Sequence, residues 1–322
     1  MSTTNDERDL LVRTVRDLVA KHAGPEQVRA AMESEPGYDR NLWTLLCEQV
    51  GVAALVVPEE FGGAGGELAD AAAVITELGR ALVPSPLLGT TLAELALLAA
   101  DTPDSETLEQ LAAGALVGAV ALDPEYVLHG DVADVVVGVA DGALSRWTEF
   151  TATAHPTMDM TRRLASVQPT TTEPLAADPG LADTAAVLLA AESVGAASRC
   201  LELTVEYTKE RVQFGRPIGS FQALKHRMAD LYVKVQTAGA VVEEAVADPS
   251  PTTAALAHVT ATEAFFDVAA EAIQLHGGIA ITWEHDIQLY FKRAHANAQL
   301  LGQPAEYLRS LESEALAADV TS

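Results

Sequence analysis

Three acids stand four residues apart in the stretch TEAFFDVAAEAIQLHGG, Thr262 to Gly278: Glu263, Asp267 and Glu271. A carboxylate can take a proton from carbon only when it is ionised, close to that proton and shielded from water. A four-residue recurrence puts all three on one helix face. That pattern describes an ordinary solvated face as readily as a reactive one. Phe265, Phe266, Ala269 and Ile273 form the opposite, apolar stripe. Gln274 lies eleven residues after Glu263, about three turns on, so the two share a face. The stretch ends in Gly277 and Gly278. A glycine pair lets backbone come close to a ligand, and it also ends helices.

The elements that hold these residues come from a chain of 322 residues, 49 % apolar and only 5 % aromatic. That length allows a large core and more than one domain, and the alanine content favours helix. With 46 acids against 20 bases the net charge is −26, which repels nucleic acid and anionic lipid. An anionic ligand would then need one of the few arginines. Cys47 and Cys200 are far apart and form neither a metal motif nor a disulfide framework. The opening MSTTNDERDL is too polar and acidic for a secretory signal. No apolar run reaches the ~20 residues of a membrane span. A cytoplasmic protein with no metal is expected.

Three textures follow one another: residues 1–114, 115–178 and 179–322. The first is helical. ERDLLVRTVRDLVAKHA carries an apolar stripe, NLWTLLCEQVG closes on Gly51, and LADAAAVITELGRAL and LLGTTLAELALLAA follow a glycine-rich break. The second holds short β-branched runs, ALVGAVAL, DVVVGVA and LASVQP, which read as strands of a small sheet. The third holds four long helical segments: one through VEYTKERVQF, one opened by Ser220 as N-cap, one closed by Gly277, and EHDIQLYFKRAHANAQLLG. Short loops join them, so a four-helix bundle is expected.

Specific words narrow this further. The segment RVQFGRPIGSFQALKHRMAD resembles the acyl-CoA dehydrogenase family through Arg211, Gln213, Phe214, Gly215, Pro217, Ile218, Phe221, Gln222, His226, Ala229 and Asp230. LWTLLCEQVGVAALVVPEEFGGAGGE is similar to the family's N-terminal helical domain, and AIQLHGG to its Q-x-x-G-G stretch. The resemblance implies a mainly α fold with an N-terminal helical domain, a middle β-domain and a C-terminal bundle. It implies FAD, an acyl-CoA substrate, and an electron-accepting flavoprotein. Arg211 would contact the FAD pyrophosphate of a neighbouring subunit, since a planar guanidinium donates two hydrogen bonds at once. Gln213, Phe214, Gln222, Gln274, Gly277 and Gly278 would complete that contact. The resemblance also implies an α-proton base, for which the matching position is Glu263.

The chain departs from the family in three respects. Most members carry the base just after the last bundle helix, where this chain has QLLGQPAEY, with Gly302 at that position and Glu306 four residues on. The middle segment is also short. It lacks the family's T-E-P-x-A-G-S-D and W-I-T/S words, and the TEP of Thr172 to Pro174 falls after MDMTRRL, where the family has already finished with it. Ala280 replaces the third glycine of the usual run. The chain thus retains what would serve a neighbour's FAD and lacks what would seat its own. The resemblance implies a short subunit in an α2β2 assembly with a longer acyl-CoA dehydrogenase, acting on a sterol-derived thioester. Whether Glu263 or a partner residue serves as base stays open at this stage.

Overall fold

The computed structural model describes residues 5–321. Six helices come first: α1 (Asn5–His22), α2 (Pro25–Glu33), α3 (Arg40–Val50), α4 (Leu68–Arg80), α5 (Leu87–Leu98) and α6 (Ser105–Ala112). Local signals set their ends. Asp39 accepts hydrogen bonds from the backbone of Asn41 and Leu42 to start α3, and Gly51 at φ 74° ends it. Glu67 and Asp70 form a capping box at α4. Arg8 and Arg16 of α1 reach Asp70 and Glu77 of α4 at 2.8 and 2.7 Å, which fixes the two helices side by side.

The middle segment is a five-stranded sheet, β1 (Gly118–Ala121), β2 (Val127–Leu128), β3 (Val135–Ala140), β4 (Ala143–Ala154) and β5 (Leu164–Ala177), in the order β1-β3-β4-β5-β2. β1 and β3 run parallel, and the other pairs are antiparallel. Two features differ from the strand reading of the sequence. β2 and β4 were not among the expected strands, and β5 continues well past LASVQP through the TEP residues. Asp141 and Gly142, both at positive φ, make the tight turn that joins β3 to β4. From Thr148 to Ala154, β4 has β5 on one side and, among the described residues, no strand on the other.

The last part holds α7 (Leu181–Glu210), the small hairpin β6 (Val212–Gln213) and β7 (Arg216–Pro217), α8 (Gln222–Ala247), α9 (Pro251–His276), α10 (Ile287–Asn297) and α11 (Pro304–Thr321). α7 lies at the centre, against α4, α8, α9 and α10. It crosses α4 with almost no space between backbones: a Cβ on Gly195 would sit 2.0 Å from the Thr76 carbonyl oxygen. Three expectations are corrected here. α7 stops at Glu210 instead of running through Phe214, because residues 212–217 turn into a hairpin. Phe221, not Ser220, occupies the N-cap of α8; the Ser220 hydroxyl donates instead to the Pro217 carbonyl at 2.6 Å. The fourth bundle helix is eleven residues long, and α11 follows it.

Two helical stretches are long and apolar enough to cross a membrane by length and composition, contrary to the sequence expectation: Leu181–Glu210 and Pro251–Ile281, with 72 % and 44 % of their apolar windows buried inside the fold. The first is the core helix of the bundle. The second carries Asp267 and Glu271 in ion pairs with Lys234 and Arg227 of α8.

Candidate functional site

Arg211 caps the C-terminus of α7, its backbone N–H donating to Tyr207 at 2.9 Å. Its side chain is exposed and has no carboxylate partner among the described residues, although the chain is so acidic. Phe214, three residues on, is 93 % exposed at φ 54°. A left-handed aromatic residue in water costs free energy in two ways, through backbone strain and unburied apolar area. Gln213 and Gln222 are exposed on the same hairpin and at the adjoining start of α8.

The second sequence-predicted element adjoins the first. α9 ends as expected at Gly277, with φ 66°, and Gln274, Gly277 and Gly278 are all exposed. A Cβ placed on either glycine would meet nothing within 4 Å, so open space faces this backbone. The His276 ring stacks on Tyr207 at 4.2 Å, and the Tyr207 hydroxyl donates to the His276 carbonyl at 3.3 Å. The structure therefore brings the Arg211 hairpin and the glycine pair together at one end of the bundle.

Glu263 is placed elsewhere. It is exposed on the flank of α9 that faces α8. There Asp267 dominates the upward shift of the Lys234 ammonium and Glu263 adds a smaller share. A cavity of about 1020 Å³ opens between α5, the β1–β2 loop and the α10–α11 connection. Leu92, Val120, Tyr126, His295, Gly302 and Glu306 are among the residues that line it; Glu263 is not. Gly302, at φ 107°, has its carbonyl 3.3 Å from the buried His258 ring. The Glu306 carboxylate accepts from the Gln303 backbone at 3.0 Å, as a helix cap does.

A buried ion cluster forms the inner wall beside this cavity and was not singled out in the sequence. Arg293, 2 % exposed, donates to Asp159 and Glu192 at 2.6 Å each and to the Thr161 carbonyl at 2.8 Å. Arg162 pairs with the same Glu192. Burial alone would raise the Glu192 carboxyl, but the two guanidiniums outweigh it and hold it down at about 2. The cluster joins the sheet to the bundle. Asp159 and Arg162 belong to MDMTRRL between β4 and β5, and Glu192 and Arg293 to α7 and α10, so spacing along the chain did not connect them.

Sequence models of the acyl-CoA dehydrogenase N-terminal domain and C-terminal domain match residues 5–115 and 180–311. The chain is 68 % identical to the acyl-CoA dehydrogenase IpdE2 of Mycobacterium tuberculosis, over 97 % of this chain and 98 % of that one. The chain belongs to the acyl-CoA dehydrogenase family. It is 67 % identical to IpdE2 of Mycolicibacterium smegmatis over 96 % of its length and 99 % of the relative's. Among solved structures it is similar to the Tcur3481-Tcur3483 steroid ACAD G363A variant, with TM-score 0.89 and 26 % identity over 99 % of this chain and all of that one. It is also similar to the ChsE4-ChsE5 complex from Mycobacterium tuberculosis, at TM-score 0.85 and 25 % identity over 98 % of each chain. Family membership makes it an acyl-CoA dehydrogenase, an oxidoreductase with helical N- and C-terminal domains around a small sheet. Family members are flavoproteins.

Proposed function

We propose that this chain is the short subunit of a heteromeric FAD-dependent acyl-CoA dehydrogenase, and that it completes an FAD site whose flavin is seated on a longer partner. One observation carries the reading: Arg211, exposed and with no carboxylate partner among the described residues, and the open backbone of Gly277 and Gly278 lie at the same exposed end of the bundle. This arrangement fits a diphosphate. The arginine fork would take two phosphate oxygens, the glycines leave room for close approach, and the exposed Phe214 would be covered by the same ligand or by the partner.

When bound, the flavin would supply the oxidant that takes hydride from the β-carbon of the acyl group. This chain's residues would bind and orient it. Gln213, Gln222 and Gln274 offer exposed amides within the same region, and Arg211 offsets the negative charge that the rest of the surface would impose on a diphosphate. The α-proton would go to a base on the partner. Glu263 lies in water and outside the cavity, where a carboxylate keeps its hydration and loses reach. Gly302 brings no acid to the cavity wall, and Glu306, which does line it, is engaged in capping α11. The two solved relatives described as a steroid enzyme and as a two-component complex favour a steroid-derived CoA thioester and a hetero-oligomer for this chain as well.

Co-production with a longer family member tests the reading. A yellow complex that loses FAD on Arg211→Ala is the expected result. FAD bound equally well by wild type and Arg211→Ala complexes would overturn it.

A further inference from the structure

The two halves of the proposed FAD contact come from distant parts of the chain, and the protein has to hold them in register. Four side chains between them have that geometry. Tyr207 stands one turn before Arg211, on the last turn of α7, and lies flat against His276 at 4.2 Å with an interplanar angle of 22°. His276 is 5 % exposed and immediately precedes Gly277. Its Nδ1 lies 2.8 Å from the Ala272 carbonyl, which can only accept, so Nδ1 carries the proton. His285, beyond the glycine loop, meets the His276 ring edge-on at 4.8 Å. The His285 Nδ1 accepts from the Ile287 backbone at 3.3 Å, which places its proton on Nε2. Thus the residue before the loop and the residue after it close on each other, and through His276 the pair closes on the helix that leads to Arg211.

The far side of the loop is tied to the N-terminal helices. Arg29 of α2 donates to Asp286 at 2.7 Å and lies over the Trp283 ring at 5.3 Å. Lys292 approaches the same ring at 5.3 Å. Between these anchors, residues 277–281 form a single 3-10 stretch in which Ala280 alone is buried.

We propose that Tyr207, His276 and His285, with Arg29 as outer anchor, are positioning residues that hold the Gly277–Gly278 backbone in register with the Arg211 hairpin, so that one diphosphate is met from both sides. This rests on the reading of Arg211 and the glycine pair as FAD contacts. None of the four side chains needs to touch the cofactor. They act through the two elements that do.

The test uses the assembled complex with its longer partner, stripped of FAD and titrated with FAD by flavin fluorescence. His276→Ala should weaken FAD by roughly two- to tenfold, the worth of one ring contact. His276→Phe keeps an aromatic face and should restore affinity, which a role for the imidazole in simple helix capping would not allow. Arg211→Ala with His276→Ala together should lose less than the product of the single losses, because both act on one ligand geometry. Thermal unfolding of the FAD-free complex checks that the variants fold. Should His276→Ala fail to fold, the partly exposed His285→Ala carries the same comparison. If Arg211→Ala loses FAD while His276→Ala and His285→Ala bind it like wild type, the positioning role is overturned and the FAD reading stands. If Arg211→Ala also binds FAD like wild type, both fall.

Discussion

Glu94 sits in the middle of α5, fully buried, with no hydrogen-bond partner for either carboxylate oxygen among the described residues. Burial pushes its carboxyl well above the ordinary range, so the folded protein holds a proton there that the unfolded chain gives up. Stability from this group is full below the unfolded value of about 4.3 and is lost as pH rises towards the folded one. Glu94→Gln should therefore gain stability relative to wild type as pH increases, by up to ~1.4 kcal/mol per unit, read from denaturant midpoints at several pH values. His129 acts in the opposite sense, since burial pushes it down to about 3, and the variant-minus-wild-type difference removes its contribution. Glu263 gives a second prediction at this scale. Glu263→Gln in the complex should leave turnover unchanged, and a loss of turnover with FAD retained would return it to the mechanism. Arg211, Gln274 and the glycine pair stand out in the sequence because their spacing matches the family words. It could not separate Glu263 from a surface acid, because helical periodicity records which residues share a face and not what that face meets.

The sheet and the bundle are joined through Arg293, and this ion cluster is where an element-level substitution should act most strongly. Arg293→Met would leave Asp159 and Glu192 buried with fewer partners, at a cost of roughly 3–5 kcal/mol in unfolding free energy. A stable, well-folded Arg293→Met would show the cluster to be dispensable. Most helices were legible from periodicity and caps, as Asp39 and Gly51 illustrate for α3. The β3–β4 hairpin was equally legible in principle, since Asp141-Gly142 between two β-branched or alternating runs is a strong turn signal. β4 went unread because beyond Trp147 its apolar face is weak, with Phe150 and Ala152 only half-buried among exposed neighbours. The end of α7 escaped for another reason. Nothing in YTKERVQFG forbids helix, and it is the β6–β7 pairing that stops it.

As a whole the molecule is highly acidic, and the exposed Arg211 stands in a field of the molecule's own negative charge. Self-repulsion of that size destabilises the compact state, and salt screens it. The melting temperature of the chain or its complex should rise between low and physiological ionic strength. Arg211-dependent FAD affinity should move the other way, because salt weakens exposed charge pairs. The architecture itself was readable from family words at its two ends. The middle carried none of those words, and its β-branched runs alone marked it as a small sheet.

Phe214 projects from the tip of the β6–β7 turn almost completely into water, beside the half-exposed Val212. Made without a companion, the chain would display a ready adhesive point, and the cell would have reason to synthesise both polypeptides together and in matched amounts. The yield of soluble protein from single-gene production should accordingly be low. It should recover with Phe214→Ser, at the expense of assembly.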